Sequence, residues 1–167
     1  GLLHLVFDFR TAPQGCPTTL SSNVTITDKG YQMTLSKGLY CPSAGGEDGY
    51  VRIDGLNSTL STPEIWGYKL EKVTVHPAGN TTALKRAQIV DADGKVVTGG
   101  DRLNFYGNCA DSWVLEKTQE HTPYYIQSTW ADFRIGELRL AYRGIETVGY
   151  PGDVESYVVD GAGDIEF

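Results

Sequence analysis

Histidine, cysteine and methionine are scarce in this chain of 167 residues, which has three histidines, three cysteines and one methionine. The histidines are scattered, and the sequence contains no H-E-x-x-H pair, no G-x-S-x-G nucleophile elbow and no glycine-rich phosphate loop. No C-x-x-C spacing suggests a zinc site. The sequence therefore predicts a noncatalytic protein that holds no cofactor.

Positive charge and long apolar runs are also lacking. Lysine and arginine number 14 against 21 acidic residues, a net charge of −7 with no basic cluster, which argues against nucleic acid as a partner. The apolar runs are only a few residues long, whereas about 20 are needed to span a bilayer. Residues 1–9 lack the charged-then-apolar layout of a signal peptide. We expect a soluble chain without a transmembrane segment, such as a mature form whose targeting segment has been removed.

Helical periodicity is missing as well, and most segments alternate with a period of two. Clusters of Gly, Pro, Asn and Asp separate these segments and mark turns. Many short strands with such turns predict an all-β sandwich or barrel with little or no helix. The predicted strands lie in "LHLVFDF", "VTITDKGYQMTL", "YVRID", "KLEKVTVH", "LKRAQIVDADGKVVT", "SWVLEK", "PYYIQST" and "FRIGELRLAY".

Two hairpins can be placed from their turn residues. In "AQIVDADGKVV", Asp93-Gly94 suits a type I′ turn, which would set Val90 opposite Val97. The stretch "ITDKGYQM" predicts a second hairpin with Gly30 in its loop.

The alternation in "FRIGELRLAY" breaks in the middle, so no straight strand can bury all of its apolar residues on one face. Inserting one extra residue restores a common face, which predicts a β-bulge at Gly136 and Glu137. Sheet curvature is the favoured reason for the bulge, ahead of re-aiming Arg134 or Glu137 toward a ligand. The apolar residues of one parity are Phe133 and Ile135, and those of the other are Leu138, Leu140 and Tyr142.

Several stretches resemble the jelly-roll, galactose-binding-like β-sandwich modules of secreted proteins and surface lipoproteins of gut Bacteroidetes. The resemblance spans roughly residues 5–143 and rests on "VFDFRTAPQGCPT", "STPEIWGYKLEKVTVHPAG", "AQIVDADGKVVTGG", "YYIQS" and "FRIGELRLAY". It implies an antiparallel β-sandwich of jelly-roll type in residues 1–143 and a C-terminal extension in 144–167 that could add an edge strand. It supplies no catalytic residue, and Trp66 stands where a small or polar residue is expected.

The modules that the chain resembles often accompany glycan-handling machinery, and two stretches mix aromatic with polar residues as sugar sites do. Trp130 is the favoured platform because it lies at a predicted turn, where a side chain is presented rather than packed. Packing in the core is the alternative for any one aromatic residue, and Trp113, at the head of a strand, is expected to be core. The candidate ligand-binding residues are Trp130, Asp132, Arg134, Tyr125 and Gln127 in "YYIQSTWADFR", and Tyr106, Asn108 and Asp111 in "NFYGNCADSW".

The sequence thus favours a noncatalytic extracellular or cell-surface binding module whose partner is carbohydrate. The first alternative is a structural or adhesive domain that engages a surface protein through an exposed strand, with 154–159 as one candidate edge. A glycan-active enzyme is the least favoured. Two structural possibilities stay open, a structural calcium ion held by Glu47 and Asp48 and a bridge between Cys16 and Cys41.

Overall fold

The computed structural model describes residues 1–78 and 85–145, together with the backbone of 158–159 and 165–166. The described chain is built of β-strands joined by turns, and it contains no helix. The strands are β1 (Leu2–Asp8), β2 (Ser21–Asp28), β3 (Tyr31–Cys41), β4 (Tyr50–Ile53), β5 (Thr59–Ser61), β6 (Tyr68–Pro77), β7 (Lys85–Val90), β8 (Leu103–Phe105), β9 (Asp111–Val114), β10 (Tyr125–Ser128), β11 (Phe133–Gly144), β12 (Val158–Val159) and β13 (Ile165–Glu166).

Every named pairing between strands is antiparallel. The main sheet runs β8-β7-β10-β5-β3-β4-β11-β6-β9, with β1 paired to β11 and β2 paired to β3. The predicted all-β, antiparallel architecture is confirmed for the described residues. The short strands β5 and β8 were not predicted, because three residues are too few to show a period of two.

The sheet folds over itself into two layers. Phe105 on β8 and Trp113 on β9 lie at opposite ends of the strand order, yet their ring centroids are 5.5 Å apart. Phe105 also meets Phe133 of β11 edge to face at 5.1 Å. We call β2, β3, β5, β10, β7 and β8 the front layer, and β1, β11, β6 and β9 the back layer, with β4 joining them. The core between the layers is the predicted sandwich core.

The bulge prediction is confirmed. The register of β11 against β6 shifts between Ile135 and Glu137, and the five apolar residues on either side of Gly136 are all buried. Gly136 has no positive φ, so the bulge needs this glycine for space rather than for a left-handed backbone. A second shift, between Ala141 and Tyr142, was not predicted.

The hairpin at Gly94 differs from the prediction. The amide of Gly94 donates to the carbonyl of Asp91 at 3.0 Å, and Gly94 has φ +79° whereas Asp93 has no positive φ. This is a type I turn followed by a left-handed glycine, which is one residue longer than a type I′ loop. Val90 therefore pairs with Val96, not with Val97.

The hairpin at Gly30 is confirmed, and it has the two-residue geometry that was expected of the other. Asp28 pairs with Tyr31, and both loop residues have positive φ, +53° at Lys29 and +80° at Gly30. The hairpin tip also reaches the back layer, because the ammonium group of Lys29 donates to the carbonyl of Val6 on β1.

The cysteines are free thiols in the structure. The amide of Tyr40 donates to the carbonyl of Pro17 at 2.8 Å, which brings the segments of Cys16 and Cys41 side by side. Burial, followed by the charge of the neighbouring Cys41, raises the pKa of the Cys16 thiol to about 11. The bridge between the two, which the sequence leaves open, is not formed in the structure.

Most of the predicted C-terminal extension, including 154–157 of the candidate edge, lies outside the described residues, so the domain boundary at 143 stays a prediction. Val158–Val159 pairs with Ile165–Glu166 as a separate two-stranded sheet. The part of the chain that the structure describes forms no helix long and apolar enough to cross a membrane.

Candidate ligand-binding face

The outer face of the front layer is lined by hydroxyl and amide side chains. They point away from the core because they alternate along each strand with buried apolar residues. Arg86 is the one member of this set that carries a formal charge. The set consists of Thr25 and Thr27 on β2, Gln32, Thr34 and Ser36 on β3, Thr59 and Ser61 on β5, Tyr125 and Gln127 on β10, Arg86 and Gln88 on β7, and Asn104 on β8.

Hydrogen bonds hold several of these side chains in place. The side-chain amide Nε2 of Gln88 donates to Oε1 of Gln127 at 2.8 Å. Where β3 and β5 share a single ladder pair, the backbone amides of Thr34 and Thr59 donate to serine hydroxyl oxygens, each at 2.8 Å. A hydroxyl that accepts such a bond can still donate one, and an amide both donates and accepts. Apart from Arg86, the face therefore offers oriented donors and acceptors without formal charge.

The outer face of the back layer is different, because it is a charged surface whose side chains pair with one another. Arg143 binds Glu71 at 2.9 Å, and Arg139 binds Glu137 at 2.5 Å. His76 also lies 3.6 Å from Glu137. Such alternating charge is typical of a solvated surface, so the front face, with Arg86 as the one charged residue of its set, is the unusual one.

Trp130 stands at one end of the front face, in the turn between β10 and β11, and its side chain is 60% exposed. The guanidinium carbon of Arg86 lies 4.7 Å from the ring centroid, so the arginine covers one face of the indole. The hydroxyl of Ser128 bonds the carbonyl of Ala131 and fixes the turn. A rigid turn thus presents a ring with its second face open.

Polar atoms lie beside this ring. Arg86 pairs in register with Asn104, and the amide of Thr129 donates to the carbonyl of Arg86 at 3.0 Å, so the three residues form a row across the strands. Arg86 Nε, Asn104 Oδ1 and Thr129 Oγ1 are buried without a hydrogen-bond partner in the part of the chain that the structure describes. Buried polar groups ordinarily have partners, so these three atoms are an exception in the strand row beside Trp130.

Asp132 and Arg134 were predicted to orient a ligand, but in the structure they bind each other at 2.9 Å. The guanidinium of Arg134 also lies 5.3 Å from the ring centroid of Tyr50. A ligand-binding role for these two residues stays a prediction, and it is Arg86 that contacts the ring of Trp130.

Tyr125 and Gln127 lie on the outer face of β10, as the alternation predicts, while Tyr124 and Ile126 are buried. Tyr125 borders a groove of about 560 Å³ at the end of the face opposite to Trp130. Together with Gln88, which was not predicted, the two residues form the middle of the face.

The loop between β8 and β9 carries the other three candidates. Tyr106 is 65% exposed, and its neighbour Phe105 contacts Phe133, which places this loop at the same end of the sandwich as Trp130. Asn108 lines a separate groove of about 540 Å³. Asp111 accepts a bond from the amide of Ser112 at 2.8 Å and belongs to the back layer, so it is apart from the front face.

The groove beside Asn108 is also lined by Glu47 and Asp48, the two residues predicted to hold calcium. Arg10 and Arg139 line the same groove. Among the residues that the structure describes, no group of three or more His, Cys, Asp or Glu side chains is arranged to hold a metal ion. The calcium site stays a prediction, with two cations placed beside it.

Sequence reasoning missed Arg86 and Gln88, although the alternation of "LKRAQIV" could have placed both on the outer face. It also missed the front-face residues of β5, because that strand was not recognised. The pairing of β5 with β10 and β3 is a property of the tertiary structure.

No protein-family model and no curated protein sequence matches the chain. Among solved structures, it is similar to the family 32 carbohydrate-binding module of C. perfringens NanJ in complex with galactose. The identity is 13%, the match covers 84% of this chain and 93% of that chain, and the TM-score is 0.37. A likeness at this level supports no conclusion about the ligand of the present chain.

Proposed function

We propose that the chain is a noncatalytic carbohydrate-binding module of a secreted or cell-surface protein, with 1–143 as the binding domain. A sugar ring offers a flat C–H face and a rim of hydroxyl groups, so it stacks on an aromatic ring and exchanges hydrogen bonds with amides and hydroxyls. In this proposal Trp130 is the platform, and Arg86, Gln88 and Gln127 orient the sugar.

The observation that carries the proposal is the contrast between the two outer faces of one sandwich. The back layer has an ion-paired surface, whereas the front layer has oriented, uncharged donors and acceptors that end at an exposed indole. Exposure of a large aromatic ring on a rigid turn gains no packing energy, and it fits a surface that is covered when a ligand binds.

A glycan array with the purified domain tests the proposal, followed by calorimetric titration of each glycan that binds. We expect Trp130→Ala to abolish measurable binding and Gln127→Ala to weaken it. Val114→Ala is the matched control, because Val114 is 61% exposed on β9 of the back layer. A folded domain that binds no glycan, or a Val114→Ala variant that loses binding as Trp130→Ala does, would refute the proposal.

The alternative of an adhesive domain that offers a free strand edge has less support. Its candidate edge at 154–159 lies mostly outside the described residues and stays a prediction. At the edge of β1, Lys29 donates to the carbonyl of Val6 and covers part of that strand. A lysine at a sheet edge is a common device against pairing with another chain.

A further inference from the structure

A second exposed tryptophan, Trp66, stands at the end of the sandwich opposite to Trp130, because its turn adjoins the end of β11 whereas Trp130 precedes the start of β11. Trp66 is 74% exposed and lies in a tight turn closed by the bond from the amide of Tyr68 to the carbonyl of Ile65 at 3.2 Å. The amide of Gly67 donates to Glu120 Oε1 at 3.1 Å, and its carbonyl accepts from the amide of Ile145 at 2.8 Å. The backbone of this turn is therefore fixed, while the indole it carries is not packed in the core.

One face of this indole is covered by a neighbouring side chain, as at Trp130. The ring of His121 stacks on Trp66 with a centroid distance of 3.6 Å and an interplanar angle of 10°. His121 is itself held by the bond from its amide to the carbonyl of Tyr68 at 3.2 Å. The second face of Trp66 is left open, so each end of the sandwich carries an exposed indole with one covered face.

The groove beside this platform continues the front face. His121 and Glu64 line it, with His121 Nε2 3.7 Å from Glu64 Oε2. Thr34, Ser61 and Tyr125 belong both to the groove and to the outer face of the front layer. A volume of about 560 Å³ is within the range of ligand sites, and hydroxyl groups form much of its wall.

The two platforms lie beyond opposite ends of β10. His121 precedes this strand and Trp130 follows it, and the four residues of β10 alone span roughly 14 Å at about 3.4 Å each. That separation exceeds the width of one sugar ring. Between the platforms, Tyr125 and Gln127 continue the uncharged surface without interruption.

We infer that the front face binds a neutral glycan chain laid along β10, which contacts Trp130 at one end and the Trp66–His121 stack at the other. This inference rests on the proposed function and adds to it the form of the ligand. A site for one terminal sugar would need a single platform, whereas a chain uses both platforms and the amides between them.

The test is calorimetric titration with graded neutral oligosaccharides of the gluco, xylo, manno and galacto series, from the disaccharide to the octasaccharide. For a series that binds, we expect affinity to rise with chain length and then to level off. Trp66→Ala should lower the affinity for the octasaccharide roughly three- to tenfold, as the loss of one ring stack does, and leave the disaccharide affinity unchanged. Val114→Ala is again the control.

Tryptophan fluorescence gives a second readout. Trp113 is buried, so Trp130→Phe leaves Trp66 as the exposed reporter and Trp66→Phe leaves Trp130. The octasaccharide should shift the emission of both variants, whereas the disaccharide should shift one of them.

Two other outcomes distinguish failure of the chain-binding inference from failure of the proposed function. A flat length series, with Trp66→Ala equal to the wild type and Trp130→Ala inactive, would overturn the chain-binding inference and leave the proposed function standing. Absence of binding by the folded wild-type domain to every series and to the glycan array would overturn both.

Discussion

Truncation of Trp113 and of Trp130 should separate packing from ligand binding within one molecule. Trp113 is 2% exposed, packs against Phe105 in the core and donates from Nε1 to the carbonyl of Asp101 at 2.8 Å. Removal of a core tryptophan costs about 3 to 5 kcal/mol, and the lost hydrogen bond adds about 1 kcal/mol. We expect Trp113→Ala to lower the free energy of unfolding by roughly 4 to 6 kcal/mol.

Trp130→Ala should lower the free energy of unfolding much less than Trp113→Ala does. The ring is 60% exposed, and its described ring contact is the cation–π interaction with Arg86. An exposed interaction of this kind contributes about 0.5 to 1 kcal/mol, so the expected loss is below about 1 kcal/mol. In a domain of this size 1 kcal/mol moves Tm by about 2 to 4 °C.

Urea and thermal unfolding measure both variants, and titration with a glycan identified on the array measures binding. We expect Trp130→Ala to be nearly as stable as the wild type and unable to bind. Trp113→Phe serves as the control, since it keeps a core ring and should recover much of the stability lost in Trp113→Ala. If Trp130→Ala unfolds as readily as Trp113→Ala, the ring is part of the core and the reasoning is refuted.

Gly136→Val should cost about 1 to 3 kcal/mol in urea unfolding, because a Cβ there would lie 3.1 Å from the Cβ of Ala78 and the larger side chain overpacks the site; an unchanged midpoint would contradict the close contact. Gly99→Ala should cost at least about 2 kcal/mol, since Gly99 has φ +86° and a Cβ would lie 2.0 Å from a backbone oxygen of β9. At pH 8, iodoacetamide should modify the exposed Cys109 well before Cys16, whose raised pKa keeps it a thiol, and equal rates would refute this. In the folded state the pKa of the Cys16 thiol is raised from 9.0 to about 11. The stabilising contribution of the protonated thiol to the free energy of unfolding is therefore present below pH 9 and should be lost as the pH rises toward 11.

The sequence predicted the features that depend on neighbours along the chain. Alternation in "FRIGELRLAY" located the bulge at Gly136, and alternation in "PYYIQST" put Tyr125 and Gln127 on the outer face. The hairpin at Gly94 was predicted one residue too short, because Asp91 Oδ1 accepts bonds from the amides of Asp93 and Lys95 and stabilises the longer turn. A side-chain bond of this kind competes with the turn that the residue types alone favour.

Less of the candidate site than of the fold could be predicted from the sequence, because the site depends on which strands become neighbours. Alternation determines which side chains leave the core, since successive residues of a strand point to opposite faces. It does not determine which strands become neighbours, and the joining of β7, β10, β5 and β3 into one uncharged surface comes from pairings between distant segments. The sequence by itself therefore determined the longer strands, their core faces and the exposure of Trp130 at a turn. Only the folded layers decided that Arg86 covers that ring and that His121 stacks on Trp66, because both contacts join residues far apart in the chain.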